Sequence, residues 1–259
     1  MKKYEWIWAI VKVNWSNMVA NKRTFYSLLL LMCVQNLLFF SLWLVIFSRI
    51  SSMRGWGLNE VAFLYAGGAI GFGLFFTLFG GLNQLGHAIQ NGDLDMYLSR
   101  PRSTLLLALM QRMRPDSIGD ILTGILMLCF MVDLNASMLP LIVVLIISTG
   151  FIYAGVRLIL HSLAFWNMTG EASERSFGAF VIISLNPQNG FSPFVKGVLL
   201  TVVPAGYVGL LPVEIVRHFR WDYLVLQLTA SVSLFAFSLW LFERGLRRYA
   251  SGNKFLSLR

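Results

Sequence analysis

Twelve carboxylates, three histidines and two cysteines are the side chains in this 259-residue chain able to act as acids, bases, nucleophiles or metal ligands. Their spacing assembles no reaction centre. His87, His161 and His218 stand far apart. None has a second histidine one helical turn away with a carboxylate between, the arrangement by which H-E-x-x-H holds zinc. Each reads as a polar residue flanking an apolar run. Cys33 and Cys129 lie inside apolar runs with no CxxC partner, so they read as small core residues rather than a disulfide or metal site. Asp93 and Asp95 form an acidic pair, without the further acids or histidines of a metal-assisted transferase. Glu171, Glu174 and Arg175 cluster at the start of an apolar run. A helix start that favours acids accounts for the glutamates; contact with a partner subunit, or an inner gate, is the other reading. No lysine stands in G-x-x-x-x-G-K-[ST], since Lys196 precedes glycine and Lys254 precedes phenylalanine. The chain carries no phosphate loop, no catalytic residue and no metal site of its own.

With chemistry this sparse, the weight falls on the elements around it. Hydrophobic residues make up 57% of the chain and charged residues 13%, about half the share usual in soluble domains. A spanning helix needs about 20 mostly apolar residues, and several such runs are present. The predicted class is all-α: a polytopic membrane protein of one transmembrane domain, 1–259. The spans are Thr24–Phe47, Val61–Leu82, Asp116–Val132, Pro140–Leu160, Ser173–Asn186 and Tyr223–Phe242. No Asp, Glu, Lys, His or Arg falls within 24–48, 61–82, 121–132, 140–156, 176–190 or 223–242. That argues against a proton- or sodium-coupled carrier, which needs ionisable groups deep in the membrane.

Residues 1–23 precede the first span. Tyr4, Trp8, Val11, Trp15 and Met18 form one helical stripe flanked by Lys2, Lys3, Lys12, Lys22 and Arg23. This predicts a basic helix at the membrane interface, with a loosely ordered tail as the alternative; the first long run is too long for a signal-peptide core. Gly67 and Gly71 make a small-xxx-small pair in the second span. It serves either tight packing within the chain or a dimer or pathway surface. Pro187, Pro193, Pro204 and Pro212 break the stretch 187–222 before the last span into apolar pieces too short to cross, predicting short re-entrant helices.

The net charge of +9 is distributed asymmetrically. With both termini inside, the inner segments hold 16 of the 21 Lys and Arg residues. Such a bias sets orientation and accounts for the charge without nucleic acid.

The polar stretch 83–115 follows the second span. Asp93 or Asn91 is placed to cap a short helix, Leu94, Tyr97 and Leu98 fall on one face, and Pro101 ends it. By pattern alone it is either an amphipathic helix outside the membrane or a capped surface turn. Gly92-Asp93-Leu94-Asp95 followed by Leu98, Arg100 and Pro101 resembles the G-x-L-D-x-x-L-x-R-P segment of ABC-2-type permeases, in a branch of small six-helix bacterial subunits. Val203-Pro204-Ala205 and Leu211-Pro212 are similar to that branch's stretch before its last helix.

The resemblance covers nearly the whole chain and implies a permease subunit of an ATP-driven exporter in the bacterial inner membrane. It would pair with itself or a sister permease and with separate ATPase subunits that bind ATP and Mg. It further implies that Gly92, Asp93, Leu94, Asp95, Leu98, Arg100 and Pro101 belong to a coupling helix docking on the ATPase. The second and fifth helices would then face the path, and the short helices before the last span would close it outside. An ATP-independent transporter or channel, or a membrane scaffold, is the alternative.

Overall fold

The computed structural model describes residues 5–133 and 135–249. Lys2, Lys3, Tyr4 and the tail beyond Tyr249 lie outside the described residues. Twelve α-helices are found among the described residues: α1 (Glu5–Ala20), α2 (Lys22–Phe47), α3 (Leu58–Leu78), α4 (Leu85–Asn91), α5 (Asp95–Leu98), α6 (Thr104–Leu109), α7 (Asp116–Met131), α8 (Leu139–Ser162), α9 (Gly170–Leu185), α10 (Pro193–Thr201), α11 (Leu210–Arg217) and α12 (Trp221–Leu246). Four of the helix starts are capped by a side chain. The Asn21 side chain accepts from the Thr24 N–H at the junction of α1 and α2. Ser103, Thr169 and Ser192 cap α6, α9 and α10 in the same way. Pro193 stands in the first turn of α10, where its missing N–H costs nothing.

Among the described residues, four helices are long and apolar enough to cross a membrane: α2, α3, the stretch Ala136–Trp166 that contains α8, and α12. α10 and the stretch Pro204–Arg217 form a fifth apolar unit bent by 83°. α3 is the most enclosed and packs on α2, α7 and α8, while α12 covers the other side of α8. α2 and α12 lie at the periphery, with Leu30, Leu38, Val45, Val232 and Trp240 facing outward. A soluble protein does not display apolar surface on this scale; surrounding hydrocarbon requires it.

Small residues set the helix spacing. A Cβ on Gly71 would meet the Ile146 carbonyl oxygen at 3.0 Å, and one on Gly150 would meet the Gly71 oxygen at 2.9 Å, so α3 and α8 touch backbone to backbone. Gly73 and Gly124 do the same between α3 and α7, with would-be contacts to the Ser117 and Ala66 carbonyl oxygens at 2.6 Å and 2.8 Å. The Gly67–Gly71 pair therefore divides: a Cβ on Gly67 would meet nothing within 4 Å.

At one end of the molecule, the 48–57 loop and the 187–222 stretch interlock. Asn189 Nδ2 donates to the carbonyls of Met53 (2.7 Å) and Arg54 (3.0 Å). Trp56 Nε1 donates to Glu214 Oε1 (2.9 Å), and Arg217 pairs with Glu60 at 3.2 Å. At the bends around Pro187 and Pro204, two side-chain amides add donors to backbone carbonyls. Gln188 Nε2 donates to Ile183 and Ala205, and Gln227 Nε2 donates to Tyr207 and Ser148 Oγ. Pro212 sits in the first turn of α11, compatible with the helix.

We expect Gly73→Val, which drives a branched side chain into the Ser117 carbonyl, to cost about 1–3 kcal/mol. Gly67→Ala should lie within about 0.5 kcal/mol of the parent. Thermal unfolding of the purified protein in lipid nanodiscs measures both, and an equal effect at the two positions would contradict the packing.

Candidate functional site: the 83–115 segment and its seat

The polar segment begins where α3 stops. Gly80 and Gly81 open a 3-10 turn over Gly80–Gln84. A Cβ on Gly81 would lie 2.0 Å from the Ala108 oxygen, so α6 rests directly on this turn. α4 then runs to Asn91 and ends at Gly92, whose φ of 82° is left-handed. That conformation gives Gly92 its purpose: it turns the chain back at the end of α4, where a side chain would be strained.

α5 is a single turn and differs from expectation in two respects. Its first capping position is Leu94, with no side-chain cap; neither Asp93 nor Asn91 caps it. Leu94 and Tyr97 are buried, but Leu98 is 45% exposed, so the three do not share a face. Leu98 joins Met96 on the outer side, between exposed Asp93 and Asp95 and exposed Arg100 and Pro101. Six of the seven residues from the resemblance thus form a small surface with apolar, acidic and basic elements, and Leu94 anchors it from below.

Three other elements hold this surface. Arg102 stacks on Trp6 of α1 at 5.3 Å, and Asn14 Nδ2 donates to the Met110 carbonyl (2.5 Å). The protein-facing side of α1 is therefore Trp6, Ile10 and Asn14, while Trp8 and Trp15 point outward. Tyr249, beyond α12, packs on Phe165. Burial first, and then the neighbouring Asp95, push its phenol up to about 12. Burial likewise raises the Tyr97 phenol, against the pull of Arg100.

α4 docks on the turn between α8 and α9. The Gly170 N–H donates to Gln90 Oε1 (2.8 Å), and the Gly86 N–H donates to His161 Nδ1 (3.2 Å). That acceptor role places the imidazole proton on Nε2, which lies 3.4 Å from Glu174 Oε1. Glu174 also takes Arg157 Nη2 on both oxygens, at 2.7 Å and 2.6 Å. Arg157 is 5% exposed and sits over the Phe177 and Phe76 rings at 4.5 Å and 5.2 Å. A continuous series of contacts thus runs from α4 through His161, Glu174 and Arg157 to rings on α9 and α3.

The sequence pattern placed Glu174 at a helix start beside Arg175, but the ion pair of Arg175 is with Glu171 on its own helix. The partners Arg157 and His161 come from α8, four residues apart on one face, and that spacing was the available signal. Asp120 also escaped attention. It lies one turn inside α7, 3% exposed, accepting from Asn36 Nδ2 (2.8 Å) near the middle of α2. The apolar limits read from the sequence fell at 121 and 156, one residue away from Asp120 and from Arg157.

We expect Glu174→Ala to cost about 2–3 kcal/mol, below the usual range for a buried pair because the Glu174 side chain is 36% exposed. The double variant Arg157→Met/Glu174→Leu should be less destabilised than Glu174→Ala. Unfolding temperatures compare the variants, and additive losses would contradict the pairing.

No curated protein and no solved structure matches the chain. A family model described as "ABC-2 family transporter protein" matches residues 30–252, which takes in every helix from α2 to α12 except the first eight residues of α2. With that match covering most of its length, the chain belongs to the ABC-2 family of transporter proteins.

Proposed function

We propose that this chain is the membrane-spanning permease subunit of an ATP-driven exporter in the bacterial cytoplasmic membrane. It crosses six times, by α2, α3, α7, α8, α9 and α12, with both termini in the cytoplasm, and pairs with an identical or sister permease. At 16 residues each, α7 and α9 are about 24 Å long. That is short of the roughly 30 Å of hydrocarbon. Their structured neighbours, rather than lipid, would satisfy the remaining depth.

ATP and Mg are bound by a separate ATPase, onto which Asp93, Asp95, Leu98, Arg100 and Pro101 dock. The observation that carries this reading is the contact series from Gly86 through His161 and Glu174 to Arg157. A push on the 92–101 surface moves α4, and α4 cannot move without shifting the α8–α9 turn. Arg157 then shifts against Phe76 and Phe177 and changes how α3, α8 and α9 pack. At the opposite end, α10 and α11 close the path on the outside. The carrier alternative gains one specific observation, the buried Asp120–Asn36 pair. Transport that persists in ATP-depleted vesicles would favour it.

The test uses the complex purified from native membranes. Asp93→Ala and Arg100→Ala change exposed residues, so folding should be intact. The ATP hydrolysis that the permease confers on its partner should fall by about two- to thirtyfold, the range of coupling changes of about 0.5–2 kcal/mol. Unchanged coupling in both variants would overturn the docking assignment.

A further inference from the structure

A cavity of about 300 Å³ lies among α2, α3, α7, α8 and α9. Its wall is mostly apolar and aromatic, with Phe39, Trp43, Tyr65 and Phe72 among its residues. Trp43 Nε1 donates to the Tyr65 hydroxyl oxygen (2.9 Å), which fixes both rings. Asp120 reaches the same space with Asn36 and Gln35.

The Asp120 carboxyl group is incompletely satisfied. Oδ1 accepts from Asn36, while Oδ2 is buried and has no hydrogen-bond partner. Among the described residues, no Lys, Arg or His lines the cavity. The nearby Arg114 is engaged by Asp116, with Nε and Oδ1 3.0 Å apart. A carboxyl group in an apolar interior is either protonated or paired with a counter-charge, and an ionisable residue at membrane depth marks a functional site. Aromatic faces around such a group attract a cation by their quadrupoles, most strongly when it is desolvated. A mostly apolar pocket with a few convergent polar groups is also the ordinary form of a small-molecule site.

We propose that this cavity binds an amphipathic organic cation, with Asp120 as its counter-charge, Asn36 orienting the carboxylate, and Trp43, Tyr65 and Phe72 enclosing the apolar part. The role of that cation as cargo rests on the permease reading; its binding does not. An anionic ligand is disfavoured by the same carboxylate, and a neutral lipid tail would leave Oδ2 without a partner.

The experiment measures equilibrium binding of radiolabelled tetraphenylphosphonium to the purified full-length chain in nanodiscs. Tetraphenylborate, of the same shape and opposite charge, is measured separately. Saturable binding of the cation, little binding of the anion, and a loss of about tenfold or more in Asp120→Asn are expected. Asp120→Glu should retain most of the affinity. Ala69→Phe, which fills the cavity from its α3 wall and leaves the carboxylate in place, should abolish binding; it keeps the test decisive if Asp120→Asn fails to fold. Equal cation affinity in Asp120→Asn, or in Ala69→Phe, overturns the proposal, as does equal affinity for the two ions. The readout needs no ATPase. Asp120-dependent binding by a chain that never associates with an ATPase would keep this site and remove the permease reading. ATPase coupling together with Asp120-independent binding would do the reverse.

Discussion

The Glu174 carboxylate supplies the counter-charge for Arg157 at a depth where that guanidinium is almost wholly shielded from solvent. Stripping Arg157 of this partly exposed partner costs about 2–3 kcal/mol, so α8 and α9 keep this register. The same carboxylate lies beside His161, whose other nitrogen is committed to the Gly86 N–H. Two helices, α8 and α9, and the polar segment between α3 and α7 are therefore tied at one point. Movement of α4 alone would break a buried hydrogen bond, whereas movement of α4 together with the α8–α9 turn would not. That asymmetry is what the proposed coupling of a surface contact to a rearrangement among helices relies on.

The opposite end obeys the same requirement by different means. α10 and the stretch that follows are bent by 83°. Gln188, just beyond α9, and Gln227 of α12 donate to the Ala205 and Tyr207 carbonyls around that bend. Between the two ends, α3 is held by backbone contact at Gly71, Gly73 and Gly124, which leaves little room for independent side-chain adjustment. Packed interfaces of this kind shift as units rather than deform continuously.

Much of this was legible in the sequence, for identifiable reasons. Long apolar runs report helices because the hydrocarbon permits little else, and the proline-broken stretch before the last span announced its irregularity. Pairings across the chain were not legible. Arg157 and Glu174 are 17 residues apart with a turn between them, and Asn36 and Asp120 are 84 apart. Local pattern also misplaced Leu98, because one turn of helix after the left-handed Gly92 is too short to keep Leu94, Tyr97 and Leu98 on a common face. Gly67 and Gly71 look alike in sequence; only the approach of α8 separates them.

The chain belongs to the ABC-2 family, and the lever driven by another subunit is the proposal built on the exposed surface around α5. The most direct measurement is photocrosslinking from position 98 in native membranes, with a photoreactive residue replacing Leu98. The account predicts capture of a nucleotide-binding subunit from position 98 and none from outward-facing Val232 on α12. Capture of only lipid or of the chain itself at position 98, in membranes where the protein is active, would contradict it.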